Sequence, residues 1–423
     1  MEPGREVGAR GIVAITAAMV LAASSSAEEP QSFTVTVDPG GVDRSWTPVS
    51  VWLERGEHLS DGDLSGGAGG WKGALTDAAG GVREAQVERR RDGDGRITAL
   101  GAHWLEEQLI AGMPQTYTLE LSHLPEGVGT RAPSFRMEED ANALSLLHGD
   151  RPVWRHEIAF DPDRIEETYK TFHHVLDGET VLTKGLGGLY PHHRGLFVGW
   201  SRTRAGGREH NFWWNAKGAE FSQRHAGFEA RERTTGPFMA RSVSLVEWMT
   251  DGAPIVFERR AVTTWSQGPG RWSLDFDITL RGADGEVRLD GDPAHGGFQF
   301  RAAQEVAERK DCAYILPSSA KGGANDNWTD CPWAAARITV EGHAYWIVHM
   351  DAPSNPRPAI YNTRSYGRFG AFFRATIPAE EELRLRFRVL MIDPEGREEP
   401  GREAFECAYR DLADPPAVRL ERP

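Results

Sequence analysis

Phe33-Thr34-Val35-Thr36-Val37 alternates apolar and polar residues and runs into Asp38-Pro39-Gly40-Gly41. A period of two marks a strand with one buried face, and the Pro-Gly cluster after it marks a turn. Residues 49–53, 96–103 and 115–121 repeat the pattern, so residues 32–130 read as a small antiparallel β domain. The stretch 125–133, punctuated by Gly127 and Gly129, is its expected boundary. Further strands are expected at 143–147, 153–160, 196–200, 242–249, 257–265, 272–280, 297–302, 344–349, 370–375 and 383–392. Only 402–411 has a helical pattern. Many short strands with turn signals between them predict an all-β chain. The expected fold is an antiparallel β-sandwich over 134–415, preceded by the small β domain. Asp92-Gly93-Asp94-Gly95 starts like a calcium loop but lacks the closing acidic residue, so it reads as a β-turn.

The chain has 423 residues, with 62 acidic and 48 basic side chains and a net charge of −14. Such a balance argues against a nucleic-acid partner, which needs a basic face to displace counterions. With 47 glycines and 25 prolines the chain is rich in turns. Tryptophan is unusually common, at 14 against 18 Phe and 8 Tyr. Trp200, Trp248 and Trp272 lie on strands as ordinary core candidates. Trp213, Trp214 and Trp328 stand beside Asn, Asp or His and are better candidates for ligand contact.

Arg5 and Arg10 precede an apolar run over 11–23, followed by Ser24-Ser25-Ser26-Ala27. That arrangement is expected of a secretory signal peptide over 1–27. The mature chain is then expected in the periplasm or outside the cell, with no membrane association after cleavage. Cys312, Cys331 and Cys407 fit either three thiols or one disulfide and a free thiol.

The densest polar cluster is Tyr190-Pro191-His192-His193-Arg194-Gly195, after Gly185-Leu186-Gly187-Gly188. A loop that delivers His-His-Arg to the start of a strand is a natural place for a site. Neighbours on an extended segment point to opposite faces. His192 and His193 therefore share one ligand only if the loop kinks. His173-His174 and His210 lie nearby in sequence, but no pair has the spacing that specifies a metal. Neither metal nor cofactor is expected. Downstream come Phe298-Gln299-Phe300-Arg301, Asn327-Trp328-Thr329-Asp330, Ser354-Asn355-Pro356-Arg357 and Arg364-Ser365-Tyr366-Gly367-Arg368. Aromatic faces with a few placed polar groups are what a small-molecule pocket requires, and a carbohydrate site in particular.

Six of these segments, in this order, resemble the PmoA-like family of secreted bacterial proteins: Pro191-His192-His193-Arg194-Gly195-Leu196, Asn211-Phe212-Trp213, Phe298-Gln299-Phe300-Arg301, Trp328-Thr329-Asp330-Cys331, Asn355-Pro356-Arg357 and Arg364-Ser365-Tyr366-Gly367. The resemblance covers about residues 134–400. Two family histidines are replaced, by Tyr190 and by Ala352 before Pro353. The family label implies a metal-dependent oxygenase, but a single short apolar segment and the want of a His- and Met-rich copper cluster argue against that activity.

The expected function is that of an exported carbohydrate-active enzyme, on a fold resembling the mutarotase-like supersandwich. His192 or His193 serves as acid or base and Asp330 as the carboxylate counterpart. Arg194, Arg301 and Arg364 hold oxygens or a uronate carboxylate. Trp213 and Trp328 form the stacking floor, and Asn327, Asn355 and Tyr366 complete the contacts. Glycoside hydrolysis normally needs two carboxyl groups. With Asp330 alone, lyase and epimerase chemistry stay open, and so does a non-catalytic glycan-binding role.

Overall fold

The computed structural model describes residues 30–422 apart from 65–69, 125–133, 215–220, 269 and 324–325. The leader and the boundary segment 125–133 lie outside the described residues. The protein is all-β, with antiparallel sheets and few helices.

The first sheet runs in the order Arg44–Glu54, Ile97–Leu109, Val82–Arg91, Trp71–Asp77, Gln115–His123, Gln31–Asp38 and Ala417–Glu421. Phe33, Val35 and Val37 all point to its buried face, as the alternation requires. They pack with Val49, Leu53, Trp104 and Leu119 in a core of their own. Residues 93–95 form the turn between two of these strands, closed by a hydrogen bond from Gly95 N to Asp92 O. The last strand comes from the far end of the chain. A division at residues 130 and 415 therefore omits one member of this sheet.

The rest is a sandwich. One sheet contains β1 (Phe172–Asp177), β2 (Leu196–Trp200), β3 (Gly296–Arg301), β4 (Asn327–Thr329), β5 (Ile360–Arg364) and β6 (Arg368–Phe372). Their spatial order is β4-β5-β6-β3-β2-β1, continuing through Arg151–Glu157, Ala143–His148 and Phe135–Glu139. The facing sheet is built mainly from Met239–Thr250, Ala253–Ser266, Arg271–Gly282, Glu382–Ile392, His343–Asp351 and Trp333–Val340. Between the sheets lies one apolar core that includes Trp200, Trp248 and Trp272. At its centre the Phe298 ring of β3 sits 4.9 Å from Phe276 and 4.7 Å from Phe387.

The helix Arg402–Ala413 covers the outer face of the facing sheet. Phe405, Ala408 and Leu412 recur at helical spacing and pack against Trp333, Trp346 and Val348. Asp411, on the same helix, accepts a buried hydrogen bond from Arg44 at 2.8 Å and another from Thr47 at 3.1 Å. That pair ties the helix to the first sheet. Cys312, Cys331 and Cys407 are free thiols, the first two buried.

Glu258 and Arg260 form an ion pair of 2.6 Å inside the sandwich, with the second Glu258 oxygen accepting from Trp248 Nε1 at 2.8 Å. Removing one partner of a buried pair leaves an uncompensated charge. Glu258→Ala is expected to lower stability by about 3–5 kcal/mol in denaturant unfolding. A loss below about 1 kcal/mol would show that the pair does not brace the core.

Candidate functional site

The side of β3 that faces away from the sandwich is also covered. All six of its residues are buried. Alternation sends Phe298 and Phe300 into the core and Gln299 and Arg301 to the other side. Polar residues line that outer face across four strands. The register pairs Arg301 with Arg368 and Arg368 with Arg364, while Gly195 O accepts from Arg301 N at 3.1 Å. Two residue pairs further on, Gln299, Gly370, Asn362 and Asn327 stand side by side. An arginine row and an amide row thus share one surface.

The loop before β2 caps this surface. Gly195 makes the entry into β2 at φ 34°, where an added Cβ would lie 2.1 Å from His173 O. Only glycine fits there. Upstream, Tyr190 adopts φ 53° and its carbonyl accepts from His193 N at 2.9 Å. The loop therefore kinks, and the two imidazoles meet edge to face with centroids 4.4 Å apart. Tyr190 stacks on His193 at 4.9 Å, and Tyr366 lies 5.1 Å from Tyr190 and 5.9 Å from His193. Trp214, 44% exposed, sits 5.9 Å from His192. Tyr190, Tyr366 and Trp214 form an aromatic rim around the histidines.

Beneath the rim lies Lys170. Its Nζ donates to the carbonyls of His192 and Trp213, both at 2.8 Å, and stands 3.5 Å from the centre of the Phe197 ring. Trp213 is fully buried beside Phe197, and the Arg301 guanidinium lies over its ring at 5.0 Å. Lys170 thereby fixes the backbone positions of both His192 and Trp213.

Positive charge dominates the site. Burial, then Lys170 and Arg301, push the pKa of His192 down to about 3. The same cause, burial, followed by Arg301 and His192, drives His193 far down. Both imidazoles are therefore neutral at pH 7, and the burial and charge that keep them so also make them reluctant to take a proton. Burial also pulls Lys170 and Arg301 well below their ordinary values, helped by neighbouring guanidiniums, and brings Arg368 to about 10 and Lys184 to about 8.

His192, His193, Arg301, Arg364 and Tyr366 converge here, with Asn327 at the edge, donated to by Asn362 at 2.6 Å. Arg364 pairs with Asp326 at 3.6 Å. Five expected residues do not serve as proposed. Asp330 is exposed and ion-paired with Lys321 at 2.7 Å. The register carries Trp328 across to Val198, so Asp330 lies towards the Trp200 end of the sheet, whereas His193 precedes Leu196. Four strand spacings add about 19 Å of lateral separation. Trp328 turns to the core side, its Nε1 donating to Thr363 at 2.9 Å. Trp213 is sealed under Arg301 and offers no open face. Asn355 is consumed by Asp351, to which it donates at 2.7 Å, and by the backbone of Arg386. Arg194 donates to the carbonyls of Glu166 and Glu167 and so holds the end of the helical turn Ile165–Thr168.

Four contributors escaped sequence reasoning: Lys170, Gln299, Asn362 and Arg368. The signal for Gln299 was present. A strand alternating Phe with Gln and Arg is buried on both sides, and its polar half needs a purpose. Among the described residues, the side chains close enough together to ligate a metal are His343, Asp393 and Glu395, away from this site. His343 there hydrogen bonds Asp393 at 2.8 Å.

Comparison with known proteins places these elements in a family. The chain belongs to a family of unknown function, DUF6807, whose model matches residues 143–405. Every strand of the site falls within that span. No curated protein matches the chain. Among solved structures it is similar to a protein in glycosyl hydrolase family 38 from Enterococcus faecalis, at 8% identity and a TM-score of 0.40. The match covers 92% of this chain and 47% of that one, so the chain spans about half its length.

Depressed histidine pKa values have a signed consequence. The unfolded chain takes up protons near pH 6.5 that folded His192 refuses until about pH 3. His174, held near 4, and His349, held near 3, act likewise. Their contribution to stability is complete above about pH 7 and is lost as the pH falls. In an NMR titration the His192 ring signals should stay fixed from pH 8 to 5. An inflection near 6.5 would contradict the burial and charge described. Gly195→Ala should disturb the β1–β2 pairing and lower the melting temperature by several degrees. An unchanged melting temperature would show that the loop tolerates a side chain there.

Proposed function

We propose that this protein is an exported carbohydrate-active enzyme that moves a proton to and from its substrate, in a lyase or epimerase reaction. The observation that carries the reading is the pair of neutral imidazoles, His192 and His193, set between an aromatic rim and a polar floor. Tyr190, Trp214 and Tyr366 suit the C–H faces of a sugar ring, and the part-exposed Asn327 suits a hydroxyl, while the buried Gln299 and Asn362 orient Arg301 and Arg368. His192, the more exposed imidazole, is the base. A substrate anion held beside Lys170 and Arg301 offsets the charge that depresses His192, so the imidazole can take a proton while the same cations stabilise the negative charge that develops on the substrate.

Two-carboxylate hydrolysis finds no support in this arrangement. Asp330, the one carboxylate expected to join the histidines, is remote from them. A glycan-binding role without catalysis would use the same rim and floor, and export rests on the leader sequence alone.

The test is exchange of substrate C–H protons with deuterated water, followed by NMR over a panel of sugars and sugar acids. His192→Ala is expected to slow exchange by about 100-fold or more, the usual contribution of a general base. Binding with no exchange by the native protein on any panel member would favour the binding role and sink the enzymatic one.

A further inference from the structure

We propose that the substrate is a sugar acid whose carboxylate is taken by Arg301 and Arg368. This deepens the proton-transfer reading above and rests on it for the role of His192.

The chain supplies its own standard for buried arginine. Arg44 pairs with Asp411 at 2.8 Å, Arg260 with Glu258 at 2.6 Å and Arg388 with Asp275 at 2.5 Å. Each buried guanidinium there has a carboxylate, as the cost of desolvating a charge demands. Arg194 lacks one but is held by the backbone carbonyls that close a helical turn. Arg301 and Arg368 break the pattern. They are 1% and 2% exposed, stand opposite each other on β3 and β6, and neither donates to a carboxylate.

Arg301 donates through Nη1 to Gln299 Oε1 at 3.2 Å and to Phe300 O at 3.3 Å. Its Nε and Nη2 have no acceptor. Arg368 donates to Ala294 O and Asn362 Oδ1, while its Nε has none. Two adjacent guanidiniums with unused donors, beside His193 and Lys170, form an anion cradle; Asp292 acts on Arg368 only through space and hydrogen bonds His295 instead. Tyr366, with the Arg368 guanidinium 5.9 Å from its ring, borders the cradle.

A carboxylate serves the neighbouring imidazole in a way that phosphate or sulfate does not. Two guanidiniums on a carboxylate acidify the C–H bond next to it. His192 takes that proton, the C–H bond breaks, and its electron pair moves onto the carboxylate oxygens held by Arg301 and Arg368. The pair then has two exits. It returns to carbon with a proton from a water molecule on the opposite face, giving the epimer, and the resulting hydroxide is neutralised by the proton that the imidazolium releases to solvent. Alternatively it forms a C=C bond as the β-carbon–oxygen bond breaks, and the imidazolium returns its proton to the leaving oxygen. Neither route needs an oxidant or a reductant, and only the first needs a further reactant, the water that supplies the second proton.

The test is calorimetric titration of the intact protein with glucuronate, galacturonate, their methyl esters, glucose, galactose, inorganic phosphate and sulfate. At least one uronate should bind about tenfold or more tightly than its ester and its neutral parent. Arg301→Gln and Arg368→Gln should each weaken that binding by about tenfold or more, with far-UV circular dichroism confirming the fold. Should Arg301→Gln fail to fold, Arg368→Gln, on the neighbouring strand, carries the comparison. Binding of esters and neutral sugars as tightly as the acids would overturn the inference, as would failure of both uronates to bind. Phosphate or sulfate binding as tightly as either uronate would overturn the carboxylate assignment. Uronate binding that depends on both arginines, with proton exchange unaffected by His192→Ala, would uphold this inference and sink the proposed role of His192.

Discussion

The organisation of this protein follows from one constraint: β3 is buried on both sides. A strand in that position normally carries apolar residues on each face. Here one face carries Phe298 and Phe300 into the sandwich core, and the other carries Gln299 and Arg301 into a second, polar interior. Burying guanidinium groups costs several kcal/mol each unless a counter-charge compensates. The sandwich core supplies the stability that tolerates this cost. The loop over 185–195 and the segment around Trp213 enclose the polar interior.

Precision in the enclosing loop comes from backbone contacts. Gly195 lets β2 approach β1 closely, and Lys170 clamps the carbonyls of His192 and Trp213 from below. Arg194 fastens the same loop to the helical turn Ile165–Thr168. Three cations thus have separate duties. Lys170 and Arg194 satisfy backbone oxygens and position the loop, whereas Arg301 retains unused donors. Strain and unmet hydrogen bonds of this kind concentrate where a protein trades stability for function.

Much of the fold was legible in the sequence because burial on one face writes a period of two into a strand. Phe33 to Val37, Leu196 to Trp200 and the helix after Arg402 emerged close to their observed bounds. Strands such as Trp71–Asp77 and Val82–Arg91 were missed, since glycine in one and a run of charged residues in the other blur the alternation. The return of Ala417–Glu421 to the first sheet is a long-range pairing that no local pattern encodes. Of the site, the histidine pair, Arg301, Arg364 and Tyr366 were found because their motifs join polar and aromatic residues. Asp330, Trp328 and Asn355 belong to motifs of the same look, yet their pairing register and local hydrogen bonds direct them elsewhere. Lys170 gave no signal beyond being a rare lysine in a chain dominated by arginine.

Chemically, the site combines neutral imidazoles with two guanidiniums, Arg301 and Arg368, that donate to no carboxylate. The central claim is that the missing negative charge arrives with the substrate. The most direct measurement is a crystal structure of the protein grown with a uronate. The carboxylate is expected within hydrogen-bonding distance of Arg301 and Arg368, with the adjacent carbon facing His192. Clear density for the uronate at another place on the molecule, with Arg301 and Arg368 unengaged, would contradict it.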